Sequence, residues 1–123
     1  MNKIAKYISR TILVSFLFFI LILSCDVPLY NASGTYINKN YESKYCCFET
    51  PHIADTLILY KDGTFNSDYY GKGKYDINNQ IGNISIYLNA DRIGVHTTMS
   101  NKLFQRIEIS LSSNTNHHYL KID

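Results

Sequence analysis

Asp62-Gly63 stands between two β-prone runs, DTLILY and TFNSDYY. Asp-Gly supplies the positive-φ pair that a tight hairpin turn demands, so the chain on either side is committed to strand. From Gly34 onward the sequence is punctuated in the same way. GTYIN forms a first strand, and DTLILY and TFNSDYY form the hairpin, with Phe65, Ser67 and Tyr69 on one face. Gly71-Lys72-Gly73 reads as the next turn and KYDI as the next strand, ending at Asn78-Asn79. NISIYL alternates, with Ile84, Ile86 and Leu88 on one side and Ser85 and Tyr87 on the other. RIGVHTTM follows Asn89-Ala90-Asp91. LFQRIEISL places Leu103, Ile107, Ile109 and Leu111 on one face, against Arg106, Glu108 and Ser110, and HHYLKI ends the series. The segment NYESKYCCFETPH reads as a loop, with a brief strand within it as the alternative, and Pro51 discourages a helix running through it. No window after Gly34 keeps a 3.6-residue period over three turns. The expected fold is all-β: an antiparallel meander of seven to eight short strands, as a small barrel or a sandwich. Closure would remove the strand edges that invite aggregation. The expected buried or half-buried positions are Tyr36, Tyr60, Phe65, Tyr75, Ile84, Ile86, Ile107 and Ile109.

The chain before Gly34 follows other rules. Lys3, Lys6 and Arg10 open it without an acid, and Ile12 to Leu23 is apolar apart from Ser15. Those twelve residues fall short of the roughly 20 that cross a bilayer core. A basic start, a brief apolar core and a small residue before a cleavage point describe an export signal. An uncleaved span reaching further back would bury Arg10, which is costly unless the side chain snorkels.

Ile22-Leu23-Ser24-Cys25 resembles the lipobox of bacterial lipoproteins: an aliphatic residue, a variable one, a small one, then cysteine. The resemblance implies a diacylated Cys25 thiol, cleavage just before it and, often, an acylated new amino group. Two or three acyl chains hold a protein on a membrane stably where one is marginal. The implied organisation is a signal peptide over 1–24, a lipidated cysteine and tether over 25–33, and a small all-β domain over 34–123. The implied place is the bacterial cell envelope, with a lipid anchor in the inner or the outer membrane. A plain cleaved signal and an uncleaved anchor are the alternatives.

A second resemblance concerns the domain. Gly34-Thr35-Tyr36 looks like the Gly-x-Trp start of lipocalins and of small lipocalin-like bacterial lipoproteins. DTLILYKDGTF and GKGKYDI are similar to the repeats of those barrels. It implies a β-barrel that can carry a small apolar ligand. Tryptophan is absent and the chain is shorter than a typical lipocalin, which argues against a roomy cavity.

Charge narrows the partners. Lys3, Lys6 and Arg10 are three of the twelve basic residues, so the chain after residue 24 keeps nine bases against ten acids, a net of −1. Nucleic acid needs a basic face and is not expected. Ten of the eleven tyrosines lie after residue 24 and fit half-buried strands, with apolar rings and polar rims.

With Cys25 assigned to lipid, Cys46 and Cys47 remain. Neighbouring cysteines bridge only through a strained ring, so packed thiols, a disulfide to another chain or a soft-metal site are the alternatives. His52, His117 and His118 could add imidazole to those thiolates for copper or zinc, although no Cys-x-x-Cys or His-x-x-x-His spacing supports it. His96 reads as a half-exposed strand residue. No phosphate-cradling glycine loop or nucleophile elbow is present, and Asp55, Asp62, Asp68, Asp76 and Asp91 read mostly as turn residues. No catalytic residue and no cofactor are expected. The functional expectation is a lipid-anchored, non-enzymatic module that binds a protein partner. A lipocalin-like carrier of a small apolar ligand and a copper- or zinc-handling lipoprotein are the alternatives.

Overall fold

The computed structural model describes residues 2–24, 31–42, 50–91, 93–112 and 115–123. Its elements are α1 (Lys3–Ser24), β1 (Gly34–Lys39), β2 (Thr56–Leu59), β3 (Thr64–Ser67), β4 (Gly71–Gln80), β5 (Asn83–Ala90), β6 (Gly94–Ser100), β7 (Glu108–Ser112) and β8 (His117–Lys121). The helix takes in the basic first turns as well as the apolar run. Lys3–Leu23 is thereby long and apolar enough to cross a membrane, with mean hydropathy 1.9 and none of it buried in protein. The same helix fits a signal peptide or a membrane anchor.

The eight strands form a closed up-and-down barrel in which each pairs antiparallel with its chain neighbours. β1 and β8 complete the ring, with Asn38 opposite Tyr119 and Tyr36 opposite Lys121. The pleat directs one set of residues inward all the way round. Tyr36 lies opposite Leu57, Leu59 opposite Phe65, Tyr75 opposite Leu88, Ile84 opposite Met99, and Ile109 opposite Tyr119. A barrel of eight strands is just wide enough for side chains to fill. Here Tyr36, Leu57, Ile86, Ile109 and Tyr119 are wholly enclosed, with Phe65, Leu59, Ile84, Leu88 and Met99 nearly so.

Gly63, at φ 86, makes the expected hairpin turn. Asp62 accepts from the Thr64 hydroxyl at 2.6 Å and the Thr64 N–H at 2.9 Å. These two bonds, the hydroxyl's first, hold the Asp62 carboxyl below its ordinary range.

Four local expectations are corrected. Gly71-Lys72-Gly73 is strand, not turn, because the chain reverses earlier, at 68–70. Gly73 is required inside the sheet: a Cβ there would lie 2.1 Å from the Asn89 carbonyl oxygen and 2.8 Å from the Phe65 ring. Tyr69 does not continue the Phe65–Ser67 face. Its N–H and that of Tyr70 both donate to Ser67 Oγ, at 3.1 and 3.0 Å, which bends the chain so that Tyr70 is buried and Tyr69 exposed. Leu103 is not in the last long strand. Phe104 takes a left-handed φ of 63, Gln105 N donates to the Lys102 carbonyl at 3.1 Å, and β7 begins only at Glu108. Tyr60 is 44% exposed, because alternation after inward Leu57 and Leu59 turns it out. The other seven expected core residues are buried or half-buried.

Candidate functional site

The barrel has two ends. At the N-terminal rim lie the start of β1, the β2–β3 and β4–β5 turns, the β6–β7 connection and the end of β8. The far end holds the end of β1, residues 50–55 and the remaining turns.

The far end carries a polar cluster around Asp55, which is 4% exposed. Ser67 Oγ donates to Asp55 Oδ2 at 2.8 Å, the Tyr119 hydroxyl donates to the same oxygen, and Tyr69 N–H donates to Oδ1 at 3.0 Å. Asn38 binds the same segment from β1. Its Oδ1 accepts from Asp55 N–H at 2.7 Å, and its Nδ2 donates to the Ile53 carbonyl at 2.5 Å. Asp55 is thus a buried anchor, not a turn residue. Tyr119 gives its ring to the core and its hydroxyl to this cluster. Burial, then Asp55, pushes its phenol pKa far up. Tyr36 mirrors it at the N-terminal rim, where its hydroxyl donates to the Ala32 carbonyl at 2.6 Å.

Of the metal candidates, the structure brings His52 and His117 together, with ring centroids 6.1 Å apart. His117 is 1% exposed, and its Nε2 has no hydrogen-bond partner among the described residues. Burial first, then His52 and His118, lowers the His117 pKa. His118 alternates away, with its Nδ1 2.7 Å from the Asn116 carbonyl and its Nε2 3.9 Å from Glu108. Cys25, Cys46 and Cys47 lie outside the described residues. No cluster of three or more His, Cys, Asp or Glu suited to a metal ion occurs among the described residues.

The outer face of β4–β6 is polar and aromatic. Tyr87 lies opposite His96, with ring centroids 6.4 Å apart. Asp76, Asn78, Ser85, Tyr87 and His96 line a shallow cleft of about 410 Å³. The Tyr87 ring rests across Gly94, where a Cβ would lie 2.7 Å from its hydroxyl. Asp76 sits mid-strand on this face, not at a strand end. Alternation signalled Tyr87, but only strand pairing sets His96 beside it. A second open cleft, about 550 Å³, lies at the N-terminal rim between Asn31–Ser33, Lys61 and the inward residues Tyr75, Ile77 and Asn79 of β4.

Comparison with protein families, curated proteins and solved structures returned no match.

Proposed function

We propose that this chain is a lipid-anchored envelope lipoprotein whose barrel is a non-enzymatic module binding a protein partner on its outer surface. The observation that carries the reading is the filled interior. Tyr36, Phe65 and Tyr119 occupy the space a carrier would leave for its ligand, so a small apolar ligand would be left with the open rim cleft. The outer β4–β6 face instead offers an exposed tyrosine, an exposed histidine and several amide and hydroxyl groups around a shallow cleft. Such amphipathic groups suit a protein interface. Anchoring rests on the lipobox ending at Cys25 and on an apolar helix with no protein cover.

A photo-crosslinking residue at His96, on the outer face, should capture one defined envelope protein in intact cells. Tyr87→Ala should abolish that capture while the same residue at Lys102 captures nothing specific. Equal capture from both positions would overturn the assignment of the face.

A metal-handling reading is favoured by one observation, the unpartnered buried Nε2 of His117 beside His52. It requires stoichiometric zinc or copper(I) uptake that Cys46→Ser with Cys47→Ser removes.

A further inference from the structure

The N-terminal rim carries the two most exposed large apolar side chains of the described barrel, Ile81 at 93% and Phe104 at 86%. Ile81 tips the β4–β5 turn and Phe104 the β6–β7 connection. These loops are neighbours, because Ile84 pairs with Met99 where β5 and β6 reach the rim. Tyr60, Leu103 and Ile122 on the same rim are also more than a third exposed. Exposed apolar residues gathered on adjoining loops mark an interaction surface rather than scatter. The left-handed φ of Phe104 is costly for a bulky residue, and it occurs where the ring is held outward instead of joining the core.

The course of the chain says what covers this surface. Asn31–Ser33 lead into β1 at the same rim, and the Tyr36 hydroxyl ties that entry down at Ala32. Six residues, 25–30, separate Asn31 from the end of α1. Fully extended they span about 20 Å. Whether the membrane is held by lipid on Cys25 or by α1 itself, this rim and not the far end is kept within reach of it. Charge agrees. Among the described residues, the rim carries Lys61, Lys102, Arg106 and Lys121 against Asp62, Glu108 and Asp123, whereas the far end sets Glu42, Asp55, Asp68 and Asp91 against Lys39 and Lys72. An anionic bilayer opposes the rim less than the far end.

We infer that the N-terminal rim docks on the lipid bilayer, with Ile81 and Phe104 entering the headgroup–acyl boundary. The inference rests on the anchored reading above and adds an orientation. The β4–β6 outer face stays clear of the membrane, and the end bearing Asp55 and His117 points away from it.

The test uses the protein as purified from membranes, reconstituted in nanodiscs of phosphatidylethanolamine and phosphatidylglycerol containing a spin-labelled lipid. Co-elution with the nanodisc reports anchoring, and paramagnetic broadening of Ile81 and Phe104 signals reports docking. Co-elution with broadening at both residues, and none at Ala90 or Tyr70, is the expected result. Ile81→Asn with Phe104→Asn should remove the broadening of the backbone amide signals at positions 81 and 104 without changing co-elution; asparagine accepts left-handed backbone, so the fold is kept. Each substitution should lower the docked-to-undocked ratio about tenfold or more. Co-elution without rim broadening would overturn docking and leave anchoring intact. Failure to co-elute would overturn both.

Discussion

Removing the Asp55 carboxylate should be among the most destabilising single changes in the barrel. Three donors converge on it: Ser67 Oγ at 2.8 Å, Tyr69 N–H at 3.0 Å and the Tyr119 hydroxyl. In Asp55→Ala, Tyr69 N–H keeps Ser67 Oγ at 3.1 Å. The Tyr119 and Ser67 hydroxyls lose their acceptor, in residues 0% and 4% exposed. A buried donor left unpaired costs about 1–3 kcal/mol, so the two together cost about 2–6 kcal/mol. A domain of this size has about 5–13 kcal/mol of stability in total. Tyr119→Phe removes a donor instead and leaves Asp55 two partners, so it should cost about 1–2 kcal/mol. Because Asp55→Ala already includes the loss at Tyr119, the double variant should be less destabilised than the sum of the singles by about 1 kcal/mol or more. Urea unfolding followed by tyrosine circular dichroism measures all three. A loss below about 1 kcal/mol for Asp55→Ala, or strict additivity in the cycle, would refute the cluster as the buried anchor of the far end.

Other consequences are open to direct measurement. His117 has a folded pKa below its ordinary 6.5, so beneath that pH the unfolded chain takes a proton that the folded chain refuses. Stability should therefore fall as pH drops from 6.5 toward the folded value, then level off, and His117→Gln should flatten this limb in urea titrations. Tyr119 has its pKa raised well above 10, so stability should also fall above pH 10 as the unfolded phenol ionises, with a shallower slope in Tyr119→Phe. Gly73→Ala should cost about 3 kcal/mol or more by thermal unfolding, because its Cβ would meet Asn89 backbone rather than a movable side chain. Cys25→Ala should release the protein from the membrane fraction or leave residues 1–24 attached.

The sequence displays the parts of this fold that depend on near neighbours. Asp62-Gly63 makes its hairpin, and the alternation of Ile84, Ile86 and Leu88 gives both the strand and its inward face. The errors lie where a distant residue decides. Gly73 resembles a turn glycine until β5 is placed against it, and the turn moves to 68–70 because Ser67 Oγ captures two N–H groups. In LFQRIEISL the period of two runs on through Leu103, but β7 begins pairing with β6 at Glu108, opposite Ser100. The Asp55–Tyr119 bond joins residues 64 positions apart, and His52 meets His117 only because β8 closes the ring on β1. No local pattern carries such contacts. The exposed Tyr87 was legible from alternation; its neighbour His96 required the register.

Native mass spectrometry of the protein extracted from the membrane fraction tests lipid anchoring and the protein-binding reading together. The expected species begins at Cys25, carries the mass of a diacylglyceryl group with or without a further acyl chain, and holds no other small molecule. A chain still starting at Met1, or one starting near residue 25 without acyl mass, would contradict the lipoprotein assignment. A non-covalent addition of a few hundred daltons would contradict the protein-binding reading and favour the carrier.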